Sequence, residues 1–187
     1  TALAEAEVEY EDHVSPTIFV KFPVAAAPDP SLTQNCYAVI WTTTPWTLPG
    51  NRAMAFAANL SYGIYQAGDN KLVLCDSLAD QVMQAAGIET YARLQDIDPG
   101  TLTCKHPLAE QGYDFGVPLL AGDFVTDETG TGLVHIAPGH GQDDFELGMK
   151  HGLNVPFTVN EAGVYYDDVP VFAGARVLDD KGKDGSA

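Results

Sequence analysis

Short runs of β-branched and aromatic residues, broken by Gly, Pro and Asp, recur along most of this chain. They read as strands: TIFVKFPV from Thr17, CYAVIW from Cys36, RAMAFA from Arg52, YGIYQ from Tyr62, KLVLC from Lys71 and GLVHIA from Gly132. The first alternates, with Ile18, Val20 and Phe22 on one face and Phe19, Lys21 and Pro23 on the other. KLVLC is apolar nearly throughout, which predicts a central strand.

Two stretches carry helical periodicity instead. Ser77 and Asp80 form an S-x-x-D capping box, Leu78, Val82, Met83 and Ala86 share one face, and Gly87 supplies the stop. The second helix is expected to begin at Asp143 or Asp144, run through FELGMKH and end at Gly152, with one of the two acids as its cap. Many short strands and two helices predict an α+β fold built around a β-barrel or strongly curved sheet, with no repeat of 20–50 residues.

Length favours one domain over all 187 residues, with residues 1–15 and 179–187 peripheral. The hydrophobic share of 45% and charged share of 19% are those of a folding chain, not a disordered one. No apolar run is long enough for a membrane span, and the acidic start TALAEAEVEYEDH is unlike a secretory signal, so a cytoplasmic location is expected. The missing initial Met and the polar end DDKGKDGSA suggest a fragment of a larger protein. Cys36, Cys75 and Cys104 are odd in number and widely spaced, which predicts reduced, buried thiols rather than a disulfide framework or a zinc ribbon. With 9 basic and 26 acidic residues the net charge is -17, and such a surface repels a phosphate backbone.

Two segments carry candidate chemistry. In Trp41-Thr42-Thr43-Thr44-Pro45-Trp46-Thr47-Leu48-Pro49-Gly50-Asn51, Pro45 cannot extend a central ladder, so the strand must end and turn hydroxyls and freed backbone groups to its tip. Hydroxyl-to-backbone bonds are the ordinary use of such a threonine run. In Gly130-Thr131-Gly132-Leu133-Val134-His135-Ile136-Ala137-Pro138-Gly139-His140-Gly141-Gln142-Asp143-Asp144-Phe145, a strand leads through a Gly-Pro loop into a helix start, where negative charge is favoured. A histidine inside an apolar strand, as His135 is, is more often a core residue than a functional one. His140, on the loop, is expected to be exposed and mobile.

Together, WTTTPWTLPGNRA and GTGLVHIAPGHGQDDFELG resemble the two peptides that line the editing pocket of isoleucyl-tRNA synthetases. Thr44-Pro45-Trp46 and Pro138-Gly139-His140 stand where the leucyl and valyl families carry Arg-Pro and an Ala-His loop. The resemblance covers nearly the whole chain, including the lead-in YEDHVSPTIFVKFPV from Tyr10. Gly50 departs from the family's usual Ala, a change expected to loosen the turn without touching ligand groups.

This resemblance implies a β-barrel-rich editing domain, part of a larger synthetase, that hydrolyses valyl-tRNA(Ile) and valyl-adenylate and excludes isoleucine. The partners it implies are the tRNA(Ile) 3′ end carrying valine and the remainder of the synthetase, with only the tip of the tRNA entering so acidic a domain. Neither cofactor nor metal ion is expected. H-I-G-H and K-M-S-K-S are missing, so ATP binding and amino-acid activation would belong elsewhere in the enzyme. Residue by residue, the family pattern gives Asp144 the α-ammonium, and Thr42, Thr43 and Thr44 with Asn51 the carbonyl, ribose and attacking water. His135 falls beside the amino-acid side chain and Trp46 forms an apolar wall; Gly139 and His140 complete the binding loop.

Other chemistries fit the residues less well. A metallohydrolase could use His135, His140, Asp143, Asp144 and His151, yet no H-E-x-x-H or paired Cys set is present. A non-catalytic insertion module would use the acidic surface to meet a basic partner. Gly130-Thr131-Gly132 is no phosphate loop, since it precedes a strand and lacks G-K-S/T. A glycosidase carboxylate pair would need Asp143 and Asp144 to point the same way, which neighbours on a helix do not.

Overall fold

The computed structural model describes residues 17–178, so the lead-in before Thr17 and the expected peripheral ends lie outside the described residues. Strands β1 (Ile18–Ala26), β2 (Cys36–Thr42), β3 (Ala53–Phe56), β4 (Tyr62–Ala67), β5 (Asn70–Cys75), β6 (Ala92–Asp96), β7 (Thr103–Lys105), β8 (Gly116–Ala121) and β9 (Leu133–Ile136) form one mixed sheet. Its order is β6-β4-β5-β2-β1-β7-β8-β3-β9. The β2/β5 and β3/β8 pairs are parallel and the remaining pairs antiparallel. Helices α1 (Ala79–Ala85) and α2 (Gln142–Lys150) complete the α+β architecture.

Period-two alternation sorts side chains between layers. Phe22, Ile40, Met54, Ile64 and Val73 meet in the main core. Between them, Val39, Leu72 and Leu74 point to the opposite face, under Val82 and Met83 of α1. Both faces of β5 are therefore covered, and KLVLC sits centrally, between β4 and β2. On β3 the outward positions are Ala53 and Ala55, small enough for Leu147 of α2 to close over them beside Ile136. Each such side chain, fully buried, contributes about 1.5–3 kcal/mol. Cys36, Cys75 and Cys104 are free and buried, and burial pushes the Cys36 thiol up to about 11. Among the described residues no helix is long and apolar enough to cross a membrane.

The structure differs from expectation in several places. The sheet is open rather than a closed barrel, with β6 and β9 as its edges. Every residue of β6 is exposed, so it offers no apolar face on which to close, and β9 lies near β2 without a ladder to it. Ser77 does not cap α1, because Asp76–Leu78 winds into a 3-10 turn ahead of it. The Ser77 hydroxyl donates to Asp127 at 2.9 Å instead, and Asp80 accepts from Tyr91. Ala86 is exposed rather than on the buried face, while Gly87, at φ +68, does end the helix. Helix α2 starts one residue early, and its cap is Gly141 with no side-chain bond. Asp143 and Asp144 both lie inside its first turn.

Candidate active site

The first wall begins where β2 stops. The Thr44 N–H donates to Thr42 Oγ1 at 3.1 Å, a local bond that turns the chain, and Pro45 then opens a 3-10 turn over Pro45–Gly50. Arg52 fastens the end of this turn by donating to the carbonyls of Pro49 and Asn51 while its guanidinium lies 4.7 Å over the Phe115 ring.

The second wall is β9 and its loop. Antiparallel pairing sets Met54 opposite His135, so His135 arrives beside the turn that precedes β3. Its Nδ1 lies 2.9 Å from Asn51 Nδ2, and its Nε2 lies 2.8 Å from Thr47 Oγ1. Asn51 Nδ2 donates to the Ala53 carbonyl as well, and Thr47 Oγ1 donates to the Thr44 carbonyl. Those commitments assign the imidazole proton to Nε2, with Nδ1 accepting from Asn51. Burial, reinforced by nearby His106 and His140, pushes the His135 pKa down to about 4. The ring is neutral at pH 7 and both nitrogens are engaged, so it offers the cavity a surface rather than a proton.

The two walls enclose a cavity of about 400 Å³. Thr42, Thr43, Thr44, His135, His140 and Asp144 all line it. Asp144 Oδ2 accepts from the Ala137 N–H at 2.7 Å, which fastens α2 to the end of β9. Burial raises the Asp144 pKa, against the pull of that N–H and aided by Asp143. Asp143 is exposed and does not border the cavity. Among the described residues no Lys or Arg lines it, and Asp144 is the one acidic side chain that does.

Trp46, Asn51 and Gly139 stand behind the walls. Trp46 is turned away, edge-on to His140 at 5.2 Å, and it borders a separate apolar groove with Tyr165 and Phe172. The buried Asn51 reaches the cavity only through His135. Gly139 is set by packing, because a Cβ there would stand 2.3 Å from the Pro156 carbonyl oxygen. His140, expected to be mobile, is half-buried and lies 2.7 Å from Thr158 Oγ1. Gly50 does touch a cavity residue, since a Cβ would meet His140 Cδ2 at 2.9 Å.

A metal-ligand arrangement of the histidines and acids is not gathered. Both nitrogens of His135 are bonded to protein, and His151 caps the far end of α2 from Asp143. Several wall residues gave no sequence signal of their own. Thr47 sits within the threonine segment but is distinguished only by its bond to His135, and Thr126 and Thr129 precede the second segment.

The family described as "Leucyl-tRNA synthetase, editing domain" matches residues 29–183. The isoleucine–tRNA ligases of Bradyrhizobium diazoefficiens and Rhodopseudomonas palustris are each 46% identical over all of this chain and 21% of their own length. That of Caulobacter vibrioides is 43% identical over 98% of this chain and 20% of its own. The chain thus spans about a fifth of the curated relatives it matches. In fold it is similar to the crystal structure of GlLeuRS-CP1, with a TM-score of 0.58 and 18% identity over 77% of this chain and 70% of that one.

Proposed function

The chain belongs to the aminoacyl-tRNA synthetase editing domains, and on that premise we propose that its cavity hydrolyses the ester joining valine to the 3′ end of tRNA(Ile), and valyl-adenylate, while excluding isoleucine. In this reading the domain works inside a larger cytoplasmic synthetase that delivers the tRNA. The observation that carries it is a cavity lined, among the described residues, by hydroxyls and one carboxylate with no Lys or Arg. An aminoacyl ester has one positive group, its α-ammonium, and Asp144 is the matching charge.

Such an ester is labile in water, so the site needs positioning and electrostatic stabilisation more than a nucleophile. Asp144 holds the ammonium. The hydroxyls and backbone groups of Thr42, Thr43 and Thr44 hold the ester carbonyl, the ribose and the attacking water. His135 forms the floor under the amino-acid side chain, kept in one orientation by Asn51 and Thr47. Synthetic sites cannot exclude valine by size, since one methylene is established, for isoleucine against valine among other pairs, to supply only about 10–200-fold. A rigid floor reverses the problem, because an extra methylene then costs overlap. The charge of -17 restricts contact to the tRNA tip.

The test is deacylation of valyl-tRNA(Ile) and isoleucyl-tRNA(Ile), with Asp144→Ala beside the unaltered protein. A hydrogen bond to a charged group is worth about 1.5–3 kcal/mol, so the variant should lose at least about tenfold. Full activity in Asp144→Ala would remove the proposal.

A further inference from the structure

The stretch that follows α2 has no regular strand among the described residues, only the isolated bridges Val159–Tyr165 and Val164–Arg176. Two of its side chains are nevertheless deeply buried, Thr158 at 4% exposure and Tyr165 at 2%. Each ends on a different wall peptide. Thr158 Oγ1 lies 2.7 Å from His140 Nε2, and Tyr165 Oη donates to the Trp46 carbonyl at 2.5 Å. The Tyr166 N–H donates to the Thr158 carbonyl at 3.1 Å, joining the two anchor points. Trp46 and His140 are in edge contact, so the ties close a ring of contacts, and of this ring His140 alone lines the cavity.

His140 is coupled inward from there. Its N–H donates to the Ala137 carbonyl at 2.8 Å, and the Ala137 N–H holds Asp144 Oδ2 at 2.7 Å. A shift of the imidazole is therefore a shift of the four-residue turn on which Asp144 leans. The seat itself depends on Gly50, where a Cβ would crowd Cδ2 at 2.9 Å and Nε2 at 3.2 Å.

Resting on the editing reading, we propose that Thr158 is a positioning residue for the hydrolysis, pinning His140 in the seat left open by Gly50 so that the Ala137–His140 turn presents Asp144 in one place. One neutral hydrogen bond is a small part of a domain's stability. A displacement of about 1 Å at a site that works by positioning can cost about a hundredfold. The bond matters through geometry.

The experiment uses the full-length synthetase carrying this domain, with Thr158→Val, Thr158→Ala, Thr158→Ser and Asp144→Ala, and reads kcat and KM for valyl-tRNA(Ile) deacylation with the unfolding temperature of each. Thr158→Val, which keeps the shape and removes the hydroxyl, should lower kcat about tenfold with KM nearly unchanged. Thr158→Ser should restore kcat. Wild-type kcat in Thr158→Val with Asp144→Ala inactive overturns the positioning role and leaves the editing reading standing. Full activity in Asp144→Ala overturns the editing reading itself. Should Thr158→Val lose its fold, Thr158→Ala decides: a wild-type kcat per folded molecule overturns the proposal, and a loss of about tenfold with KM nearly unchanged, recovered in Thr158→Ser, supports it.

Discussion

His106 and His135 are both buried against the Pro45–Gly50 turn, one at the Leu48 carbonyl and the other at the Thr47 hydroxyl, and burial pushes each pKa down to about 4. Their surroundings differ. His106 is stacked on Tyr113 at 4.7 Å with Phe22 and Phe115 around it, and both its partners are backbone groups, the Leu48 carbonyl and the Leu108 N–H. His135 has side-chain partners, Thr47 and Asn51, and one face open to a cavity. A perturbed pKa thus reports burial in both cases and function in neither. Both also border a void, His106 the apolar groove beside Trp46 and His135 the cavity that holds Asp144, so the kind of partner and the chemistry of the adjoining void separate a packed histidine from one that faces the candidate site.

The contrast can be broken most forcefully at His106. His106→Ala should remove about 3 kcal/mol of stability by leaving a cavity and an unpaired Leu48 carbonyl. Deacylation per folded molecule should be unchanged. A denaturant titration with activity normalised to folded protein checks both, and a specific loss of hydrolysis in a folded variant would erase the distinction. Next in size is His135→Ala. It should deepen the cavity floor and lower the valine-to-isoleucine rate ratio by about tenfold, and paired deacylation assays with the two esters read it. An unaltered ratio would return His135 to the same class as His106.

A graded effect is shared by both residues. Each has a folded pKa depressed to about 4 from 6.5, so neither state binds the proton above pH 6.5 and stability is full there. As pH falls from 6.5 towards 4, the unfolded chain takes up protons that the folded chain refuses, and stability is lost at up to about 1.4 kcal/mol per pH unit for each histidine. Denaturant midpoints at pH 7.5, 5.5 and 4.5 should follow that slope, and His106→Ala or His135→Ala should each reduce it by one proton.

Much of this was legible in the chain. The strands with apolar alternation or a continuous apolar run formed where periodicity puts them, and the two motif segments meet at one cavity. Strands β6, β7 and β8 were not, since ARLQD is exposed throughout, TCK spans three residues and GVPLLA contains Pro118. The capping box at Ser77 misled because a local pattern cannot show that Asp127, fifty residues on, competes for the hydroxyl. At the site, residue types identified the segments but not which side each residue presents. Trp46 and Asn51 share a turn with the cavity threonines and face away from the void. Thr158 and Tyr165 lie in a stretch without periodicity, and their ties to His140 and Trp46 exist only once the chain has folded back.

The pair Thr47 and His135 is separated by 88 positions along the chain, and the two meet only where β9 pairs with β3, beyond the turn that carries Thr47. Closing a loop of that size costs entropy before any contact in it compensates, and pairings between distant strands slow folding. The cavity is consequently a late product of folding, absent from any intermediate that has joined only β1, β2, β4 and β5. During synthesis the two walls emerge from the ribosome separately, and the cavity starts to exist only when the second wall docks.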